Sequence, residues 1–212
     1  MAKKRNIIFP LILIPIFFIV FWIIRGGNYT EEQKEYISQL ENFRANNDIE
    51  FRDSTYSPFN RKSKVEFHSL KYFDANFDFI FTGKLIENKI KDTVKVYGTK
   101  GEERKSVRYG LLKLHNEKSK LDVKVYETLA HDGITKYYSI WFTDKTTNKE
   151  SYGVGRYVDF ELNESSEYIY TLDFNYAYNP YCAYSSDFSC AIPTKEDYLD
   201  IAIEAGEKKF HE

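Results

Sequence analysis

Eighteen consecutive residues, Ile7 to Ile24, carry no charge, and this run constrains the chain more than any other feature. As a helix it would be about 27 Å long at roughly 1.5 Å per residue, close to a hydrocarbon core of about 30 Å. A cleavable export signal usually has a shorter apolar stretch that ends in small residues. Here the run closes with Phe21-Trp22-Ile23-Ile24-Arg25 and no A-x-A pattern. Trp22 stands at the far edge, where an amphipathic ring prefers the interface. Pro10 and Pro15 interrupt the span, which transmembrane helices tolerate better than soluble ones. The reading is an uncleaved signal anchor over residues 1–27, with a cleaved signal as the alternative. Lys3, Lys4 and Arg5 would keep the N-terminus cytoplasmic under the positive-inside bias, placing the following domain outside the cytoplasm. The expected localisation is therefore a single-pass cell-membrane protein.

Charge is divided unevenly along the 212 residues. The leader holds four basic residues and no acidic one, which leaves 26 basic against 32 acidic side chains in the remainder. A mildly acidic body argues against nucleic acid as a partner, because that needs a basic face. Aromatic residues make up 17%, with only 10 Gly and 5 Pro, which excludes a disordered or collagen-like chain. About 185 residues suffice for one ordinary domain.

An amphipathic helix is expected over residues 28–50. Thr30-Glu31-Glu32-Gln33 has capping-box spacing, and the two glutamates suit the positive end of the helix dipole. Tyr36, Ile37, Leu40 and Phe43 recur at helical spacing, and Asn46-Asn47-Asp48 offers an end. Residues 51–212 read as a β-rich domain. Phe77 to Phe81, Val94 to Tyr97, Leu112 to Leu114, Leu121 to Tyr126, Tyr137 to Phe142 and Tyr168 to Leu172 are strand-like, with turn signals at Gly83, Gly98 to Gly101, Asn116 and Asp132-Gly133. Such spacing predicts a mainly β fold, an antiparallel sandwich or a partly closed barrel.

The chemistry-bearing motifs are mostly missing. The sequence has no G-x-S-x-G, H-E-x-x-H or G-x-x-x-x-G-K, and Gly153-Val154-Gly155 lies between strands rather than opening a helix. The four histidines, His68, His115, His131 and His211, have no second ligand at metal spacing. No metal site and no cofactor are expected.

The segment from Trp141 onward carries a specific pattern. Its blocks are Phe142-x-Asp144-x-Thr146 with Tyr152-Gly153-x-Gly155-Arg156-Tyr157, then Asp173-Phe174-Asn175-x-Ala177-Tyr178-Asn179-Pro180-x-Cys182-Ala183-Tyr184. The last is Cys190-x-x-Pro193, Glu196, Leu199 and Ile203-x-Ala205-Gly206-Glu207-Lys208. Ser57-Pro58 and Phe67-x-x-Leu70-x-Tyr72-Phe73 fit upstream. In these blocks the chain resembles the bacterial family known as a domain of unknown function, DUF1684. It departs at Ala191 and Thr194, where proline is usual, and at Asp197, where asparagine is usual. The resemblance implies a family and no activity.

Within these blocks Arg156 is expected to be buried and paired with Asp144 or Asp173, since an enclosed guanidinium without a carboxylate is very costly. Two readings follow. Asp144, Tyr152, Arg156, Asp173, Asn175, Asn179 and Glu207 either form a polar network that pins a long loop or line a binding site for a small polar or anionic ligand. Cys182 and Cys190, spaced C-x7-C, suit a disulfide outside the cytoplasm, worth about 2.6 kcal/mol in the chain-entropy picture. The resemblance implies relatives that share this cysteine pattern without an export segment, so two buried thiols or half of a zinc site stay open. The functional expectation is a binding or envelope-associated module. The alternative is a hydrolase using Asp144 with Asp173 or Glu207 on an envelope or sugar-like substrate.

Overall fold

The computed structural model describes residues 29–129 and 132–211. The anchor expected over residues 1–27 lies outside them, and among the described residues no helix is long and apolar enough to cross a membrane. Among the described residues, 29–39 belong to a first compact unit and those from Leu40 onward form a second.

Helix α1 runs Glu31–Asp53, so its first turns belong to the first unit. The expected capping box is present: Gln33 N–H donates to Thr30 Oγ1 at 3.2 Å, and Thr30 N–H to Gln33 Oε1 at 3.0 Å. The helix does not stop at Asn46-Asn47-Asp48. Asp48 Oδ1 accepts the Leu70 N–H at 2.9 Å, so it is not free to compete for helical amides, and the helix continues to Asp53. Its buried residues are Leu40 and Arg44, an i,i+4 pair. Phe43, placed on the expected apolar stripe, is instead exposed and meets Tyr176 edge-on.

The strands of the second unit are β1 (Ile80–Glu87), β2 (Thr93–Tyr97), β3 (Glu103–His115), β4 (Lys120–Leu129), β5 (Lys136–Phe142), β6 (Arg156–Asp159) and β7 (Tyr170–Asp173). They form one antiparallel sheet in the order β6-β5-β4-β3-β1-β7, with β2 added on β3. The sheet curls into half of a barrel. Of the two architectures expected, it is therefore the partly closed barrel and not the sandwich. Phe77–Phe79, expected as strand, is a 3-10 turn capped by Asn76, whose side chain accepts the Asp78 N–H. The strand begins at Ile80, three residues later than expected.

Alternation explains which face is buried. Leu121, Val123 and Val125 of β4 point inward with Phe81, Leu112, Leu114, Ile140, Phe142, Val158 and Leu172. Burying each such side chain contributes roughly 1.5–3 kcal/mol. The open side of the half-barrel is not filled by strands. Leu199, Ile203 and Ala205, from the irregular C-terminal stretch, complete the same core. The gap between edges β6 and β7 is spanned just after β7, where Tyr178 exchanges both backbone hydrogen bonds with Tyr157 at 2.9 Å. On the outer face Tyr126 and Trp141 stack at 4.3 Å beside Val96. A third cluster joins Phe59, Leu70, Ala183, Tyr184 and Phe210.

Candidate functional site

Strand β6 starts at Arg156 because Gly155 lets the chain turn tightly beside β5. Gly155 has φ +113°, and a Cβ there would sit 2.6 Å from the Phe142 carbonyl oxygen. Arg156 pairs in register with Phe142 and points to the inner face with Val158, while Tyr157 points outward. The guanidinium is 1% exposed. Its Nη2 lies 3.2 Å from Asp144 Oδ2 and donates to the Ile203 carbonyl at 2.8 Å. Its Nη1 donates to the carbonyls of Ala205 and Glu207. Alternate carbonyls of the extended C-terminal stretch thus wrap one charged group. Burial presses the guanidinium's pKa downward, and Asp144, followed by Glu207, opposes that pressure.

Asp144 is equally occupied. Its Oδ2 also accepts the Ile203 N–H at 2.7 Å, and its Oδ1 is 2.8 Å from Thr146 Oγ1 and 3.0 Å from Thr147 Oγ1. Thr146 Oγ1 is in turn 2.8 Å from Ser151 Oγ. Of the two carboxylates expected near Arg156, the structure supplies Asp144. Asp173 works elsewhere, capping the turn that follows β7 by accepting the Asn175 N–H and side-chain Nδ2–H, each at 2.9 Å. The Asn175 amide then imitates a peptide unit against Asn76, accepting its N–H at 2.8 Å and donating to its carbonyl at 2.9 Å.

Glu207 is the second buried acid, 2% exposed. One oxygen accepts the Asn179 N–H at 2.7 Å and the Tyr184 hydroxyl at 2.5 Å, and the other faces the Tyr72 hydroxyl at 3.4 Å. Burial pushes its pKa up to about 7, although these donors and Arg156 pull the other way. The Asn179 side chain donates to the Lys208 carbonyl at 2.8 Å. Gly206, at φ +75°, lets the tail pass close to the Ala177 carbonyl, 2.5 Å from where a Cβ would stand.

The seven candidate residues therefore do not converge on one space. Asp144 and Arg156 form one cluster, joined through the Glu207 carbonyl to the Glu207–Asn179 cluster. Asp173 with Asn175 stands apart. Tyr152 lies by the cysteines, its hydroxyl 3.8 Å from Cys182 Sγ. Of the states left open for Cys182 and Cys190, the structure has two free thiols, with a 3.3 Å hydrogen bond from Cys182 N–H to Cys190 Sγ. Among the described residues no group of three or more acidic, histidine or cysteine side chains could hold a metal ion. Two of the departures from the family pattern act together: Thr194 and Asp197 form a capping box, and Asp197 Oδ1 also accepts the Tyr126 hydroxyl at 2.6 Å.

An opening lies nearby that the sequence reading missed. A cleft of about 400 Å³ is bounded by Glu41, Arg44, Ala45 and Asp48 of α1 and by Leu70, Tyr72, Phe73 and Asp74. Arg44 is 7% exposed, with its guanidinium 4.6 Å from the centroid of the Tyr72 ring, a favourable cation–π geometry. Nη1 pairs with Glu41 at 3.0 Å, while Nε and Nη2 have no hydrogen-bond partner. Tyr72 and Tyr184 both stood in the family-like blocks. Arg44 had only its i,i+4 relation to Leu40 as a signal.

Two measurements check this geometry. Arg156→Ala leaves Asp144 buried without its counter-charge and should lower the unfolding free energy in urea by about 3–5 kcal/mol. Glu207 binds its proton more tightly folded than unfolded, so its contribution to stability falls as pH rises from about 4.5 to about 7 and then levels. Glu207→Gln removes that loss. The stability of the variant relative to the wild type should climb across that window, and a pH-independent difference would contradict the assignment.

Comparison with known proteins agrees with the fold and adds no activity. Among curated proteins, none matches the sequence. Among solved structures, the solution NMR structure of an uncharacterized protein of Haloarcula marismortui is 28% identical, covering 84% of this chain and 96% of that one, with a TM-score of 0.60. A family model described as a protein of unknown function, DUF1684, matches residues 65–208, which contain Arg156, Asp144, Glu207 and both cysteines. The chain belongs to the DUF1684 family.

Proposed function

We propose that this protein is a binding module, displayed on the outer face of a membrane by residues 7–24, that takes a small polar ligand in the cleft beside α1. The observation that carries this reading is where the charged groups point. A carboxylate-dependent hydrolase needs two carboxyl groups flanking open space. Asp144 and Glu207 instead spend their oxygens on Arg156, backbone amides and hydroxyls inside the protein, and Asp173 caps a turn. The cleft, by contrast, offers charged groups at an opening. Asp48 and Asp74 line it together with Arg44, whose Nε and Nη2 are unpartnered. That set suits a ligand with hydroxyl or amino groups toward the carboxylates and an acceptor toward Arg44. An uncharged leader of membrane-spanning length, with three basic residues before it, supports display outside the cytoplasm.

Protease added to intact spheroplasts should degrade residues 28–212. Cleavage only after the inner membrane is opened would reverse the orientation. For the cleft, the full chain in micelles is titrated with glucosamine, which presents hydroxyls and an ammonium. The amide signals of Arg44, Tyr72 and Asp74 should shift in a saturable way, and Asp74→Asn should weaken the effect. Absence of any saturable shift there removes the cleft from the account.

A further inference from the structure

Cys182 and Cys190 are built differently from a structural cross-link. Cys182 sits in the short 3-10 turn Tyr181–Ala183 that follows Pro180, and its N–H donates to Cys190 Sγ at 3.3 Å. Tyr152 adds a hydroxyl 3.8 Å from Cys182 Sγ. Cys190 is fixed by its backbone, which exchanges hydrogen bonds with Thr99: Thr99 N–H donates to its carbonyl at 3.0 Å, and its own N–H donates to Thr99 Oγ1 at 3.3 Å. The intervening loop is pinned independently of any sulfur bond. Arg104 Nη2 donates to the Ser189 carbonyl at 2.7 Å, Lys100 Nζ to the Asp187 carbonyl at 3.0 Å, and Ser63 binds the Asp187 carboxylate through both its N–H and its hydroxyl at 2.6 Å. Both cysteines are half-buried, so small reagents can reach them.

From this geometry we infer that Cys182 and Cys190 form a reversible dithiol–disulfide couple, with Cys182 the attacking thiol and Cys190 the resolving one, that exchanges with a small-molecule disulfide. Two physical reasons carry it. The loop between the cysteines is held by its own hydrogen bonds, so the reduced form keeps its folded shape and the pair can open and close without unfolding. Hydrogen bonds to the sulfurs favour the reduced pair, which makes the disulfide easier to reduce. The Tyr152 hydroxyl, 3.8 Å from Cys182 Sγ, favours the first thiolate there. Cys182 is pushed down to about 6, chiefly by the hydrogen bond from Cys190 and, against the effect of burial, by Tyr152 and Thr99, while Cys190 is raised by the same bond. The Cys182 thiolate attacks one sulfur of the small disulfide and expels a thiolate. Cys190 passes its proton to that thiolate and attacks Cys182 Sγ, expelling the second. The protein is oxidised by two electrons, and the small disulfide is reduced to two thiols.

The full chain, purified in micelles, is equilibrated with glutathione mixtures from excess reduced to excess oxidised, acid-quenched, unfolded, alkylated and weighed. The expected result is a single reversible step from two alkylated cysteines to none within that range. A protein unalkylated even in excess reduced glutathione has a structural disulfide, and one doubly alkylated even in excess oxidised glutathione has inert thiols. Either result overturns the couple. Single variants assign the roles. Cys190→Ser should acquire one glutathione severalfold faster at pH 7 than Cys182→Ser, and equal or reversed rates would overturn Cys182 as the attacking thiol.

Discussion

One buried positive charge organises the C-terminal third of this protein. Arg156 lies at the start of β6 with almost no contact with water, and an unpaired guanidinium in that position would be prohibitive. Asp144 neutralises it, and the carbonyls of Ile203, Ala205 and Glu207 take its remaining Nη hydrogens. Because those carbonyls belong to one extended stretch, satisfying the charge also decides where that stretch runs. Ile203 and Ala205 are carried into the hydrophobic core as a consequence. A tail with no helix and no named strand is thereby as well placed as a strand would be.

The half-barrel needs such a tail. Six strands in a row leave edges at β6 and β7, and exposed edges invite pairing with other chains. Here one backbone pair, Tyr157 with Tyr178, spans the gap. Leu199, Ile203 and Ala205 close the core where further strands would stand in a complete barrel. The irregular residues after Asp173 are therefore part of the core, and a buried loop must satisfy its own backbone: Asn175 N–H is taken by Asp173 and Asn179 N–H by Glu207.

Glu207 links this scaffold to the surface of the second unit. Its carbonyl serves Arg156, while its carboxyl group meets Tyr184, Asn179 and, at longer range, Tyr72. Tyr72 forms a wall of the cleft and stacks beneath Arg44. A change of charge at Glu207 would thus be felt at both ends of a short chain of contacts, one end structural and the other at the opening.

Periodicity made much of the sheet legible. Leu121 to Tyr126 and Tyr137 to Phe142 lie within β4 and β5 because a period of two on one buried face has few other outcomes. Phe77 to Phe79 misled, since alternation over three residues also fits a capped turn. The Thr30 capping box was legible because its partners lie three residues apart, and the end of α1 was not, because Asp48 is engaged by Leu70, 22 positions away. At the site, the residue types around Arg156 already required a carboxylate, since burying a guanidinium leaves little choice. The choice of Asp144 over Asp173, the three carbonyls, the separation of Tyr152 from the network and the burial of Arg44 against Tyr72 depended on tertiary structure. These contacts join residues distant in the chain, and only the path of the folded backbone brings them within hydrogen-bonding reach.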